Sequence, residues 1–221
     1  MRLFGLEGAK MIAHNSLTDF YAHARQIVLS AGYSWERDWQ CQIEDGGYDE
    51  TAFLREAAWV ILCSGFKEAH IRKIFDCYSL AFCDWESAAE IVDAGNTCIG
   101  LACEVFRNRR KAEAIFEIAK KVDVTGFSAV RAEIDRAPLV YIEKLPMLGP
   151  ITAKHLAKNL GYPIAKNDRH LVRLAEEQGF RCVDAFCEAL SSMVGESIPV
   201  VDITLWRYGV LRSQNTSSFA A

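Results

Sequence analysis

The chain has 221 residues, of which 51% are hydrophobic and 24% are charged. This composition supplies enough apolar surface for a folded core and excludes an intrinsically disordered chain. The 25 basic and 29 acidic residues give a net charge of −4, which excludes a strongly basic nucleic-acid-binding tail. No apolar run reaches the ~20 residues that cross a bilayer, and the first residues lack a signal-peptide pattern. We therefore expect a cytoplasmic protein without a membrane partner.

Eight cysteines are distributed along the chain. Disulfide frameworks stabilise small secreted domains that lack a large core, and neither condition is expected here. We predict reduced thiols that are mostly buried and act as small apolar fillers.

Apolar residues recur at helical spacing along nearly the whole chain, which predicts an all-α fold. A first helix is predicted to begin at Asn15 or Ser16, whose side chain would cap it. The irregular segment Ser34–Tyr48 contains Gly46-Gly47 and predicts a loop. The predicted helix Glu86–Ala94 is expected to be capped by Asp84 and ended by Gly95. In chain order the further predicted helices are Thr51–Cys63, Lys67–Ser79, Glu86–Ala94, Arg107–Val122, Ser128–Arg136, Leu139–Lys144, Thr152–Leu160, Arg169–Gln178, Val183–Val194 and Val201–Leu211.

Two segments are basic despite the acidic average. Residues 144–181 hold seven Lys or Arg and three Asp or Glu, a net charge of 7 − 3 = +4, and Arg107–Lys111 reads RNRRK. Such patches bind a polyanion locally, and the alternative for each alone is a solvated helix face. We expect Lys154 and Lys158 to contribute to phosphate binding.

A short apolar helix is predicted to end at Leu145 and Pro146, and Gly149 supplies a tight turn before Pro150. Proline is favoured at the first position of a helix, so the second helix is predicted to begin here. The free backbone N–H groups at such a helix N-terminus form an anion site. The turn alone predicts either a phosphate-binding hairpin or an ordinary α-hairpin.

The segments LPMLGPITA (145–153) and NDRHLVR (167–173) together resemble the helix-hairpin-helix signature of the endonuclease III superfamily of DNA glycosylases. Residues 57–75, 106–122 and 200–213 are similar to further helices of that family, in the same order. The resemblance implies two helical lobes. Residues 51–160 would form a helical barrel lobe that ends in the hairpin (141–160). Residues 1–50 and 161–221 would form the second lobe, with the active site in the cleft between them.

The resemblance also assigns roles to residues. It makes Asp168 the catalytic carboxylate, and the alternative is that Asp168 only caps a helix. A base pocket or duplex wedge is expected from the aromatic residues Trp35, Trp39 and Phe66, whereas Trp59 and Trp206 are expected to cover the core. DNA contacts are expected from Leu148, Gly149, Ile151, Thr152, Lys154, Arg169 and His170.

The sequence departs from the family pattern in three places. Ile151 occupies the position of the lysine with which many members form a Schiff base and cut the strand. The four closely spaced cysteines of the family's iron–sulfur cluster are missing after Cys187. Gly65 stands where some members have a polar wedge residue. The departures imply a monofunctional enzyme without a metal or cofactor, apart from an optional monovalent cation at the hairpin.

The sequence therefore predicts a monomeric DNA glycosylase that flips a modified base out of double-stranded DNA and leaves an abasic site. An alkylated purine and a bulky modified pyrimidine in phage DNA are the first two candidate substrates, and an oxidised purine is the third, so the role is either genome repair or antiviral defence. Two alternatives remain, a non-catalytic helix-hairpin-helix DNA-binding module and a glycosylase with lyase activity through Lys154.

Overall fold

A computed structural model gives the backbone of residues 4–218 and describes the surroundings of side chains 17–43 and 47–214. Every regular element in these ranges is helical, so the prediction of an all-α fold is confirmed. None of the helices searched in this part of the chain is long and apolar enough to span a membrane.

The helices run in chain order, with a 3-10 turn at Cys83–Trp85 between the fourth and the fifth. They are α1 (Phe4–Ser30), α2 (Ser34–Gly46), α3 (Glu50–Cys63), α4 (Glu68–Ala81), α5 (Ala88–Ala94), α6 (Asn96–Val105), α7 (Arg109–Thr125), α8 (Phe127–Arg136), α9 (Pro138–Ile142), α10 (Pro150–Asn159), α11 (Arg169–Glu177), α12 (Val183–Val194) and α13 (Ile198–Ser218).

The chain divides into two compact units. The continuous unit is Gly46–Tyr162, and the discontinuous unit joins the chain up to Asp45 to the chain from Pro163 onward. The core of the discontinuous unit contains Leu174 of α11, Phe186 of α12 and Leu205 of α13. In the continuous unit, fully buried side chains of α3, α4 and α7 fill the core. The predicted glycosylase arrangement of lobes around an active-site cleft stays a prediction.

The N-terminal helices differ from the prediction. The helix α1 begins at Phe4, so Asn15 and Ser16 lie inside it and not at its start. The predicted loop at Ser34–Tyr48 is wrong, because helix α2 spans Ser34–Gly46. Its buried residues are polar, namely Glu36, Arg37 and Gln40, and this hides the apolar periodicity that identifies most helices.

A second correction concerns the segment after α4. Asp84 does not cap a helix, because it lies in the 3-10 turn with a positive φ of 49°. Ser87 caps α5 instead, and its side chain accepts a hydrogen bond from the Glu90 amide at 3.1 Å. Gly95 ends α5 as predicted, with a φ of 58°. Helix α6, which the sequence did not predict, begins directly after this glycine.

All eight cysteines are free thiols, as expected. The expectation that most of them are buried is wrong, because only Cys98 and Cys187 are. Burial raises the pKa of the Cys98 thiol to about 11, and neighbouring Cys83 adds to the shift.

Candidate functional site

The turn between α9 and α10 is fixed by buried leucines. Leu145 and Leu148 are 4% and 2% exposed, and the Leu148 amide donates to the Leu145 carbonyl at 3.2 Å. Met147 between them has a φ of 60°, in the left-handed region. Because both leucine side chains are buried, they anchor the turn, and Leu148 offers a partner only its backbone.

The N-terminus of α10 is open to an anion. Gly149 precedes the helix in extended conformation, Pro150 is its first residue, and no side chain from the described part of the chain caps it. The Thr152 hydroxyl donates to the Gly149 carbonyl at 3.0 Å and leaves the amides unblocked. A Cβ built on Gly149 meets no heavy atom within 4 Å, and Ile151 is 55% exposed. Uncapped amides facing open space suit a phosphate oxygen.

The expected contribution of Lys158 to phosphate binding is wrong. Lys158 is 2% exposed, and its charge acts on the buried Glu56 of α3. Burial raises the pKa of the Glu56 carboxyl, while the Asn159 amide at 2.9 Å, Arg55 and Lys158 oppose the shift. The second half of α10 is therefore fixed to α3 by polar contacts, whereas Lys154 on the first half is half-buried.

The basic cluster at Arg107–Lys111 also contains a structural lysine. Lys111 is 3% exposed, and its Nζ donates to the carbonyls of Leu62 at 3.1 Å and Ser64 at 2.6 Å, and to that of Ile61. Burial lowers the pKa of Lys111 to about 8. Its three donors satisfy carbonyls at the C-terminus of α3, where a helix leaves them unpaired.

Asp168 is the N-cap of α11. Its Oδ1 accepts from the amides of His170 at 2.9 Å and Leu171 at 3.2 Å. Its Oδ2 lies 3.5 Å from the ammonium of Lys166, and the two side chains are 14% and 19% exposed. One oxygen therefore fixes the carboxylate to the helix, while the other lies beside a cation.

Helix α13 contacts the residues on either side of this carboxylate at two places that the sequence did not predict. Asp202 is 1% exposed, and its Oδ2 accepts from the Lys166 amide at 2.7 Å. A Cβ built on Gly209 would lie 2.9 Å from Cβ of His170, so α11 and α13 touch where only glycine fits. The available sequence signal was Asp202 itself, a lone charge within the apolar run VVDITLW.

The predicted DNA contacts on α11 differ in exposure. Arg169 is exposed and His170 is half-buried. Burial lowers the pKa of His170, Asp168 opposes this shift, and the charges of Arg169, Arg173 and Lys166 add to it. Arg169 is therefore the better placed cation, and His170 mainly packs against α13.

The predicted aromatic residues lie in both units. Trp35 is 44% exposed and Trp39 is half-buried, and they stand one turn apart on α2. Phe66 is 44% exposed in the turn between α3 and α4. Its ring packs edge-on against Phe106 with centroids 4.9 Å apart, and Lys111 Nζ lies 5.0 Å from its centroid. Phe66 is therefore a supported, solvent-facing ring.

No family model and no curated protein matches this chain. The likeness to the endonuclease III superfamily thus rests on the motif residues themselves, and membership stays a prediction. The residues searched hold no group of three His, Cys, Asp or Glu side chains suited to a metal ion. A monovalent cation at the hairpin stays a prediction as well, and backbone carbonyls of the turn are the ligand type that suits it.

Proposed function

We propose that the chain is a monofunctional DNA glycosylase with Asp168 as its catalytic carboxylate. The observation that carries the proposal is that the two carboxylate oxygens of Asp168 have different partners. Oδ1 is held by two amides of α11, and Oδ2 stands beside Lys166. A helix cap alone needs one oxygen, whereas a fixed, largely buried carboxylate with a second oxygen suits stabilisation of a cationic sugar.

Cleavage of the N-glycosidic bond leaves an oxocarbenium-like sugar. Asp168 would lower the energy of that cation and accept a proton from the water that adds to C1′. Since the carboxylate is already oriented by the helix, little reorganisation is needed as the charge develops. The product is a free base and an abasic site in an intact strand.

The hairpin would bind the duplex through its backbone. Amides at the N-terminus of α10 point at a phosphate oxygen, and the nearby Lys154 adds positive charge. Contacts of this kind fix the position of the protein on DNA and do not read sequence. Asp168 and the hairpin serve one reaction only if both bind the same duplex, which the proposal requires.

The direct test is a search for the released base. Purified protein is incubated with duplexes that carry alkylated purines or bulky modified pyrimidines, and with phage DNA, and free bases are identified by mass spectrometry. Release of a modified base supports the proposal. DNA binding without release from any substrate supports the alternative, a non-catalytic helix-hairpin-helix module.

Binding is expected to depend on salt through Lys154. Each phosphate contact contributes about −0.9 to the slope of log affinity against log salt, so Lys154→Glu should weaken binding and flatten the slope by about one such step. Lys144→Glu, an exposed change in the same segment, is the comparison for general charge effects. Lys158→Glu should instead destabilise the fold, because this lysine is buried. An affinity that does not change with salt would mean that the basic segment 144–181 is a solvated face and does not bind phosphate.

Strand cleavage through a Schiff base is not expected. Ile151 occupies the position of the attacking lysine and has no amine. Incubation with a cleavable duplex and borohydride should give no covalent adduct, and strands should break only after alkali is added. An adduct that disappears in Lys154→Ala would instead make Lys154 the nucleophile and the enzyme a lyase.

A further inference from the structure

Trp206 of α13 was expected only to cover the core, but its ring lies near the lysine that contacts the candidate catalytic carboxylate. The Lys166 ammonium that contacts Asp168 is 5.9 Å from the centroid of the Trp206 ring. The Arg207 guanidinium lies 4.7 Å from the same ring and 4.0 Å from the ring of Tyr33. Trp206 remains partly exposed. Two cations thus already lie against the Trp206 ring, Lys166 paired with Asp168 and Arg207 paired with Glu36.

Further positive charge surrounds this point. His170, two residues after Asp168, has a pKa that burial lowers most, and the charges of Arg169 and Arg173 lower it further. A cationic base gains affinity from electron-rich aromatic faces and loses it near positive charge. Asp168 and Lys166 balance each other, Glu36 pairs with Arg207, and Asp202 accepts from the Lys166 amide at 2.7 Å. Because Lys166 and Arg207 already lie against the Trp206 ring, that ring suits an alkylated, cationic purine less well than an aromatic face without cations would.

We propose that this site takes a neutral base and that Lys166 donates a proton to the base as it leaves. The inference rests on the proposed function and selects a modified pyrimidine over an alkylated purine. A neutral base departs as an anion and needs a proton or a strong donor, whereas a cationic purine departs as a neutral molecule. An ammonium beside the catalytic carboxylate can act as a general acid on the leaving group only when the base is neutral.

The protons balance around the Lys166–Asp168 pair. When the C1′–N bond breaks, its electron pair stays on the base, and the base takes a proton from Lys166 Nζ. Water forms the new bond to C1′ and gives a proton to Asp168 Oδ2. That proton then passes to the neutral amine of Lys166, which starts only 3.5 Å away. Both groups return to their initial states, and the net reaction consumes one water.

The experiment uses full-length protein and two sets of duplexes. One set carries 5-hydroxymethyluracil, 5-formyluracil or glucosylated 5-hydroxymethylcytosine, and the other carries 7-methylguanine or 3-methyladenine. Single-turnover release is measured for wild type, Lys166→Met, Lys166→Arg and Asp168→Asn. Lys73→Met, at an exposed lysine of α4, is the matched control.

Wild type is expected to release a pyrimidine and to leave both methylated purines. Lys166→Met should lower this release by about 100-fold or more, which is the usual range for loss of a general acid, with DNA affinity nearly unchanged. The loss should be smaller for 5-formyluracil, since its electron-withdrawing group stabilises the departing anion. Lys166→Arg, which keeps a charged donor, should lose less than Lys166→Met.

The outcomes separate this inference from the proposed function. Release of methylated purines in preference to pyrimidines, with Asp168→Asn inactive, overturns the neutral-base inference and leaves a glycosylase. An equal loss for both uracils in Lys166→Met overturns the proton-donor role and makes Lys166 a support for Asp168. No release of any base by wild type contradicts the proposed function, and the inference falls with it.

Discussion

Replacing Asp168 with Asn should abolish base release while leaving the fold and DNA binding nearly intact. Asn keeps an oxygen that accepts from the amides of His170 and Leu171, so α11 remains capped. The charge is lost, and with it the stabilisation of the sugar cation. Loss of one preorganised electrostatic group costs about 10²–10³-fold in rate, which sets the smallest effect expected in single-turnover assays.

Asp49→Asn is the matched control, because Asp49 caps α3 and accepts from the Ala52 amide at 2.8 Å. This change makes the same alteration at a helix N-terminus without touching the candidate site. Its base release should equal that of wild type. Retained activity in Asp168→Asn, or a parallel loss of activity and DNA binding, would mean that Asp168 only caps α11.

The sequence predicted the helices with apolar inward faces far better than those with polar ones. The bounds Val183–Val194 of α12 agree with the structure, because this helix buries Val183, Phe186 and Leu190 at helical spacing. Helix α2 escaped detection because it buries charges that pair with other elements. Periodicity reports only apolar burial, so a helix held by ion pairs has no such signal.

The candidate site was predictable in part for the same kind of reason. The turn chemistry of Gly149-Pro150 and the capping position of Asp168 are local, and local patterns are visible in sequence. The partners Lys166 and Asp202 depend on α13 packing beside the segment before α11. Contacts between elements far apart in the chain leave no local pattern. Burial of Lys158 was invisible because its partner Glu56 lies on α3.

Breaking the buried ion pair between α2 and α13 should strongly destabilise the discontinuous unit. Arg207 Nε donates to Glu36 Oε2 at 2.9 Å, and the second guanidinium nitrogen donates to Oε1. Both side chains are 5% exposed. Arg207→Met leaves the Glu36 carboxylate buried without its main partner, which costs about 3–5 kcal/mol for pairs of this kind. Hydrogen exchange of the α2 and α13 amides measures the change in opening free energy.

A double substitution separates the effect of breaking the ion pair from the effect of burying the two side chains. Glu36→Leu with Arg207→Met removes both charges, and replacing a buried pair with apolar side chains is close to neutral, so most of the lost stability should return. Arg109→Met breaks the exposed Arg109–Glu113 pair of α7 and should cost at most about 0.5 kcal/mol. If the double variant stays as unstable as Arg207→Met, Arg207 stabilises the unit mainly through its stacking on Tyr33 and Trp206. In Arg207→Met, the loosened helix α2 should also displace Trp35 and Trp39. The Glu36–Arg207 pair would therefore support the aromatic residues predicted for base recognition.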